Sequence, residues 1–323
     1  MHATVHGPQE AGRASSRSAL IMVAAALVLL APLLATGYVR YVATLWMIYA
    51  IAAVGLQIPM GLAAIYSFGH SAFMLIGAYA MALAIMLGGW PVPLAILGAL
   101  VLAGVVGALL ALPSLRLSGF ALAIVTMGAS SLFFQTVKVF KVTGGPQGLF
   151  LPELAFVKAM DGRVFYAICA LLMVLGLVVA RCVEGGRIGR VLRASAANPL
   201  MAQSFGVHLM RTRTLSFVIS AVYGSVAGSL LGLVSGYIAP EAYSPELSIQ
   251  IFAAVMIGGM ARPWGPVLGA LFIVLIPELT QSVQNLGAIV YALIFIAVST
   301  LYPGGLQQML SGLGARLRGR APQ

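Results

Sequence analysis

Residues 41–115 read YVATLWMIYAIAAVGLQIPMGLAAIYSFGHSAFMLIGAYAMALAIMLGGWPVPLAILGALVLAGVVGALLALPSL, 75 positions without one Asp, Glu, Lys or Arg. A membrane-spanning helix needs roughly 20 apolar residues, so this stretch alone is long enough to cross about three times. The rest of the chain agrees. Of its 323 residues, 61% are hydrophobic and 8% charged, whereas a soluble domain is about a quarter charged and can cover a water-facing surface. The 37 glycines exceed what a soluble helical protein needs, while membrane helices use them at packing faces. A soluble enzyme, a secreted disulfide scaffold and a nucleic-acid binder are excluded. The chain is a polytopic membrane protein of the all-α class.

Charges, Pro/Gly breaks and aromatic ends divide it into ten expected spans, at about 19–37, 41–60, 69–88, 92–114, 118–137, 164–182, 214–237, 247–260, 264–284 and 286–303. The first apolar run, Ser18 to Val39, is longer than the roughly 7–15 residue core of a signal peptide and reads as an uncleaved span. The net charge of +11 is not spread as a binding groove would need. Six arginines fall between Arg181 and Arg213, Arg316, Arg318 and Arg320 close the chain, and Arg13 and Arg17 precede the first run. This is the bias of cytoplasmic loops, so it sets orientation. Both termini are expected in the cytoplasm and the chain in a plasma membrane. The expected division is a cytoplasmic tail at 1–17, a transmembrane domain at 18–305 with a cytoplasmic loop at 183–213, and a basic cytoplasmic tail at 306–323. One loop runs against the rule: Lys138, Lys141, Lys158 and Arg163 would lie outside.

Chemistry has little raw material here. Seven acidic residues are all the chain has, which leaves almost nothing for paired-carboxylate catalysis. No phosphate-cradling G-x-x-x-x-G-K-[ST] loop occurs, nor H-E-x-x-H, G-x-S-x-G or a metal-ligand spacing. No catalytic residue, metal or cofactor is expected. Cys169 and Cys182 stand on one expected helix about 20 Å apart, too far to pair.

Four features carry information. At residues 61–79, GLAAIYSFGHSAFMLIGAY, the polar or small residues Ser67, Gly69, His70, Ser71 and Ala72 interrupt the apolar pattern. Such a break survives in a bilayer only where it is buried in protein or lines a cavity. A second break lies at 256–270, MIGGMARPWGPVLGA, with glycines 258 and 259 ahead of Arg262. Paired interruptions point to a permeation path, or else to tight helix turns. His70 is either a pathway residue or a structural tie to backbone, the latter favoured because no carboxylate is near in sequence. Glu278, after Pro277, is a second ionisable group inside a span and either functional or set against a partner helix. Finally, residues 189–206, GRVLRASAANPLMAQSFG, place Arg190 and Arg193 on one face of a short helix. Asn198-Pro199 then caps and starts a second one bearing Leu200, Met201 and Phe205. A small amphipathic hairpin with no core of its own suits a groove on another protein.

These same segments resemble the permease subunits of branched-chain amino-acid ABC importers, of the LivM type. The matching stretches are Gly55 to Tyr79 with its S-x-G-H core, Arg116 to Leu149, Gly189 to Gly206, the segment from Gly236, GGM…GPVLGA from Gly258, and Pro277-Glu278. The resemblance implies a non-enzymatic transmembrane subunit. Its partners would be a second, similar permease, two cytoplasmic ATPase subunits and an external substrate-binding protein. In that setting 189–206 is the coupling loop entering the ATPase, with Arg190, Arg193, Asn198, Pro199, Leu200, Met201 and Gly206 as its residues. Ser67, Gly69, His70, Gly258, Gly259 and Glu278 are candidates for the translocation path. Two positions depart from the pattern: Ala196-Ala197 stands where an Arg-Glu pair is usual, and Gln57 where Asn is. The expected cargo is a branched-chain or other hydrophobic amino acid. Urea or short amides in the same machinery, and a stand-alone secondary transporter, are the alternatives.

Overall fold

Long runs of Leu, Ala, Val and Ile can satisfy their backbone in a membrane only as helix, and helix dominates. The structure is a computed structural model that describes residues 37–117, 119–151, 162–280, 286–301 and 305–306. Its helices are α1 (Gly37–Gln57), continued by a π-turn at Ile58–Leu62, α2 (His70–Gly88), α3 (Val92–Leu110) and α4 (Gly119–Val139). Next come α5 (Gly162–Gly185), α6 (Arg187–Ala197), α7 (Pro199–Ser204) and α8 (Leu209–Ser235). The last three are α9 (Pro245–Gly258), α10 (Gly265–Leu279) and α11 (Leu286–Leu301). A two-residue antiparallel ribbon interrupts the all-α expectation, with Leu149 and Phe150 of β1 (Leu149–Phe150) opposite Ile238 and Tyr237 of β2 (Tyr237–Ile238).

Six of these helices are long and apolar enough to cross a membrane: α1 with its π-turn, α2, α3 with the short turn that follows it, α4, α5 and α8. The expected spans at 41–137, 164–182 and 214–237 fall on them within a few residues. The last three are shorter. With 14, 15 and 16 residues, α9, α10 and α11 are about 21–24 Å long, against a hydrocarbon layer of about 30 Å. The first expected span lies outside the described residues, apart from Gly37 itself, as do both termini.

The packing is centred on α8, which touches α1, α2 and α3, while α10 and α5 close around α1. Helices α1, α2 and α8 are mostly buried, and α3, α4 and α5 mostly exposed. The open faces of α3 and α5 carry Leu97, Val101, Val105, Leu171, Leu175 and Val178, a composition suited to acyl chains. Small residues set the closest approach. A Cβ on Gly77 of α2 would strike the Ser225 backbone of α8, and one on Gly228 would strike the Met74 carbonyl. In the gap so created, Ser229 Oγ donates to the Gly77 carbonyl at 3.0 Å.

The ribbon and the turn after it sit below the end of the helices. Tyr79 Oη donates to the Ile238 carbonyl at 3.3 Å, nine residues and so about 13 Å short of the end of α2 at Gly88. Here Lys138 at the end of α4 pairs with Glu241 at 3.1 Å. The Glu241 backbone amide and then the Lys138 ammonium hold this carboxyl below the ordinary carboxylate range. A lowered folded pKa gives stability that is complete above the unfolded value and is lost as pH falls through the folded one. The pair is open to solvent, so Glu241→Gln should cost under about 1 kcal/mol at neutral pH. Thermal unfolding of the two forms should converge once the pH is well into the acid range.

Candidate functional site

The first break is a stretch of non-helical chain at 64–69, held by side chains of α4 and α9 and by its own Ser67. Ala64 is kept at φ 51°, a left-handed conformation costing an alanine about 1–2 kcal/mol. Thr126 and Ser130, one turn apart on α4, take both backbone groups of Phe68. Its N–H donates to Thr126 Oγ1 at 3.0 Å, and its carbonyl accepts from Ser130 Oγ at 2.9 Å. Ser67 Oγ accepts from the Gly69 amide at 3.2 Å. Ser71 N–H donates to Ser248 Oγ of α9 at 2.8 Å, and the same two residues share a hydroxyl–hydroxyl bond of 2.8 Å. Nothing in a lipid tail could replace these partners.

His70 starts α2 and is buried, 1% exposed. Its Nδ1 lies 3.3 Å from Ser220 Oγ on α8, and the ring stands edge-on to Phe73. A Cβ on Gly224 would come within 3.4 Å of its Cε1 and Nε2. The ring fills the α2–α8 crossing and faces no open path. The bond runs to a side chain on another helix rather than to the backbone of the 67–69 turn, and Nε2 has no hydrogen-bond partner among the described residues.

The two breaks meet. Gln57 Nε2 at the end of α1 donates to the Met260 carbonyl at 2.8 Å, and a Cβ on Gly61 would strike that same carbonyl. Gly258 and Gly259 are buried beside it. A Cβ on Gly258 would strike the Gly265 carbonyl, and one on Gly269 the Ala254 carbonyl, so glycines let α9 and α10 lie against each other as a tight hairpin. Trp46 Nε1 donates to the Val267 carbonyl at 2.9 Å and ties the hairpin to α1. Glu278 is elsewhere. It sits half-buried in the last turn of α10, about 20 Å from Gly265 along that helix. Removing the cross-link with Gln57→Ala leaves a partly buried carbonyl unpaired. That should cost about 1–3 kcal/mol, read as a lower melting temperature in detergent with Gln57→Glu no better.

The second region is the α6–α7 hairpin. Arg190 Nη1 donates to the Gly185 carbonyl at 3.1 Å and Arg193 Nη2 to the Glu184 carbonyl at 2.8 Å. Both arginines thus fold back on the last carbonyls of α5, where orphan acceptors and the helix dipole favour a cation. Leu192 is completely buried, and α6 packs against α5, α8 and the π-turn at Ile58–Leu62. Asn198 Oδ1 accepts from Met201 N–H at 3.0 Å and caps α7, with Pro199 at its first position. Gly206, at φ 79°, ends the hairpin in a conformation that suits glycine. Between cap and stop, Leu200, Met201 and Phe205 are 77%, 59% and 82% exposed. A cleft of about 480 Å³ opens beside them, lined by Leu115, Gln203, Gly206, His208, Met210 and Arg213 among others.

Sequence reasoning passed over Thr126, Ser130 and Ser248, the residues that hold the first break. Their only signal was a pair of hydroxyls four apart in an apolar helix. It also treated Gln57 as a departure from a pattern without seeing its reach to Met260.

Residues 38–299 match the family model described as the branched-chain amino acid transport system permease component. The chain is 30% identical over 303 residues to the high-affinity branched-chain amino acid transport system permease protein LivM of Escherichia coli K12, covering 83% of this chain and 69% of that protein. It is 27% identical over 289 residues to LivH, the permease protein of that description in the same strain, covering 81% and 92%. A probable LivM of Methanocaldococcus jannaschii is 31% identical over 191 residues, 58% of this chain and 55% of that protein. No solved structure matches.

Proposed function

We infer the function from one premise: the chain belongs to the family of branched-chain amino acid transport permease components. It is a multi-pass membrane protein, with six helices among the described residues fit to span. Its role is the transmembrane permease subunit of an ATP-driven importer in a bacterial inner membrane. It moves branched-chain amino acids delivered by an external binding protein. It pairs with a second permease of similar fold and with two ATPase subunits. The hairpin end and both termini face the cytoplasm, and the ribbon end lies outside.

The observation that carries this reading is the hairpin. Three large apolar side chains stand in solvent between a cap and a stop, on helices bonded to the end of α5. A soluble partner's groove is the environment such a surface requires. When ATP closes the ATPase pair, the seated hairpin moves as one body with the end of α5. Because α6 packs on the π-turn, that displacement reaches Gly61, Gln57 and Met260, where the two breaks meet. The path then switches between its outward- and inward-open arrangements. The candidate path runs along the open side of the first break, at Gly61, Ala64 and Tyr66, which are exposed.

The test is uptake of labelled leucine, isoleucine, valine and urea by cells lacking the gene. Loss of the three amino acids, restored by the gene, supports the reading. Loss of urea alone would keep the machine and change its cargo.

A further inference from the structure

Where the unwound segment meets α9, Phe68 and Phe252 stand edge-to-face, their centroids 4.6 Å apart and their planes at 61°. Tyr66 meets Phe252 in the same manner at 6.3 Å. Tyr66 is exposed, while Phe68 and Phe252 are half-buried. The backbone of Phe68 is fixed at both polar groups by Thr126 and Ser130. The clamp satisfies backbone groups that lipid could not, and it fixes the point from which the partly open ring projects.

Beside these rings the unwound segment reaches the surface at Ala64 and Tyr66. Non-helical backbone is a poor neighbour for acyl chains, so this face calls for water or protein. An edge-to-face aromatic pair offers a wedge of ring faces and C–H edges that a branched apolar side chain can enter, exchanging one dispersion contact for another. A small polar amide would gain nothing from that exchange.

Resting on the permease reading, we infer that Phe68 and Phe252, with Tyr66 at their rim, form the surface that the apolar side chain of an aliphatic amino acid contacts in transit. They are the specificity-determining residues of this chain. Urea and short amides have no group for such a surface, so the aromatic seat selects the amino-acid cargo within the machinery.

The test uses the complete transporter in vesicles, with the exposed Cys182 changed by Cys182→Ser. Phe68→Cys and Phe252→Cys are introduced singly and treated with a small methanethiosulfonate reagent, which forms a mixed disulfide with the thiol and releases methanesulfinate. Leucine together with ATP should slow the reaction severalfold at both positions, and urea should leave it unchanged. Leu171→Cys, on the lipid-suited face of α5, should be indifferent to leucine. If Phe68→Cys fails to insert, Phe252→Cys carries the test, since its backbone lies within α9. Equal rates with and without leucine, in vesicles that import leucine, would overturn the inference. Vesicles whose unaltered chain imports no leucine would overturn the permease reading itself, and the seat with it.

Discussion

Replacing Leu200 and Met201 together by aspartate should abolish leucine uptake while the chain stays in the membrane at its normal level. Both side chains are largely exposed and on α7, a helix capped by Asn198 and begun by Pro199. Neither change removes a core contact, so insertion and folding should be unaffected. In a partner's groove, each lost side chain forgoes about 1.5–3 kcal/mol of burial. At about 1.4 kcal/mol per tenfold, the pair loses two to four orders of magnitude in affinity before the cost of burying two carboxylates. Uptake with and without the double change, beside immunodetection of the membrane fraction, makes the comparison. Full transport by the double variant would remove the docking role from the hairpin.

Gly228→Leu should have the larger effect on the fold. Any Cβ at this position collides with the Met74 carbonyl and its neighbours, and helical backbone cannot step aside as a side chain could. Overpacking with room to adjust costs about 1–3 kcal/mol, and this site has no such room. The same displacement would part Ser229 from Gly77 and Tyr243 Oη from the Gly228 carbonyl, bonds of 3.0 and 3.2 Å. Little monodisperse protein should survive detergent extraction, whereas Gly37→Leu, where nothing lies within 4 Å, should extract normally. Equal recovery of both variants would show that α2 and α8 are not packed as described.

The helices were legible because the bilayer enforces a simple rule. Charge-free runs must be helical, and Gly88-Gly89-Trp90 or Asn198-Pro199 marks their ends in composition alone. The short length of α10 was not legible in that way, although the expected span at 247–260 already had the 14 residues of α9. The apolar content of α10 matches a full span, and only the glycine contacts between Gly258 and Gly265 reveal a tight hairpin. The interior of the site was harder still. Phe68 and Ser130 are 62 positions apart, and Gln57 and Met260 are 203 apart. A hydroxyl that satisfies a distant carbonyl leaves no periodic trace in its own helix. His70 showed the opposite case: the sequence exposed it as an outlier, and Ser220 and Gly224 supply its reason.

The central claim is that ATP, through a docked partner, drives transport by this chain. The most direct measurement is leucine uptake in proteoliposomes holding the whole complex and its binding protein, with ATP supplied on the hairpin side. Ion gradients are collapsed by ionophores in a parallel sample. The account predicts uptake that requires ATP and persists without any gradient. Uptake driven by a proton or sodium gradient in the absence of ATP would contradict it and make the chain a secondary transporter.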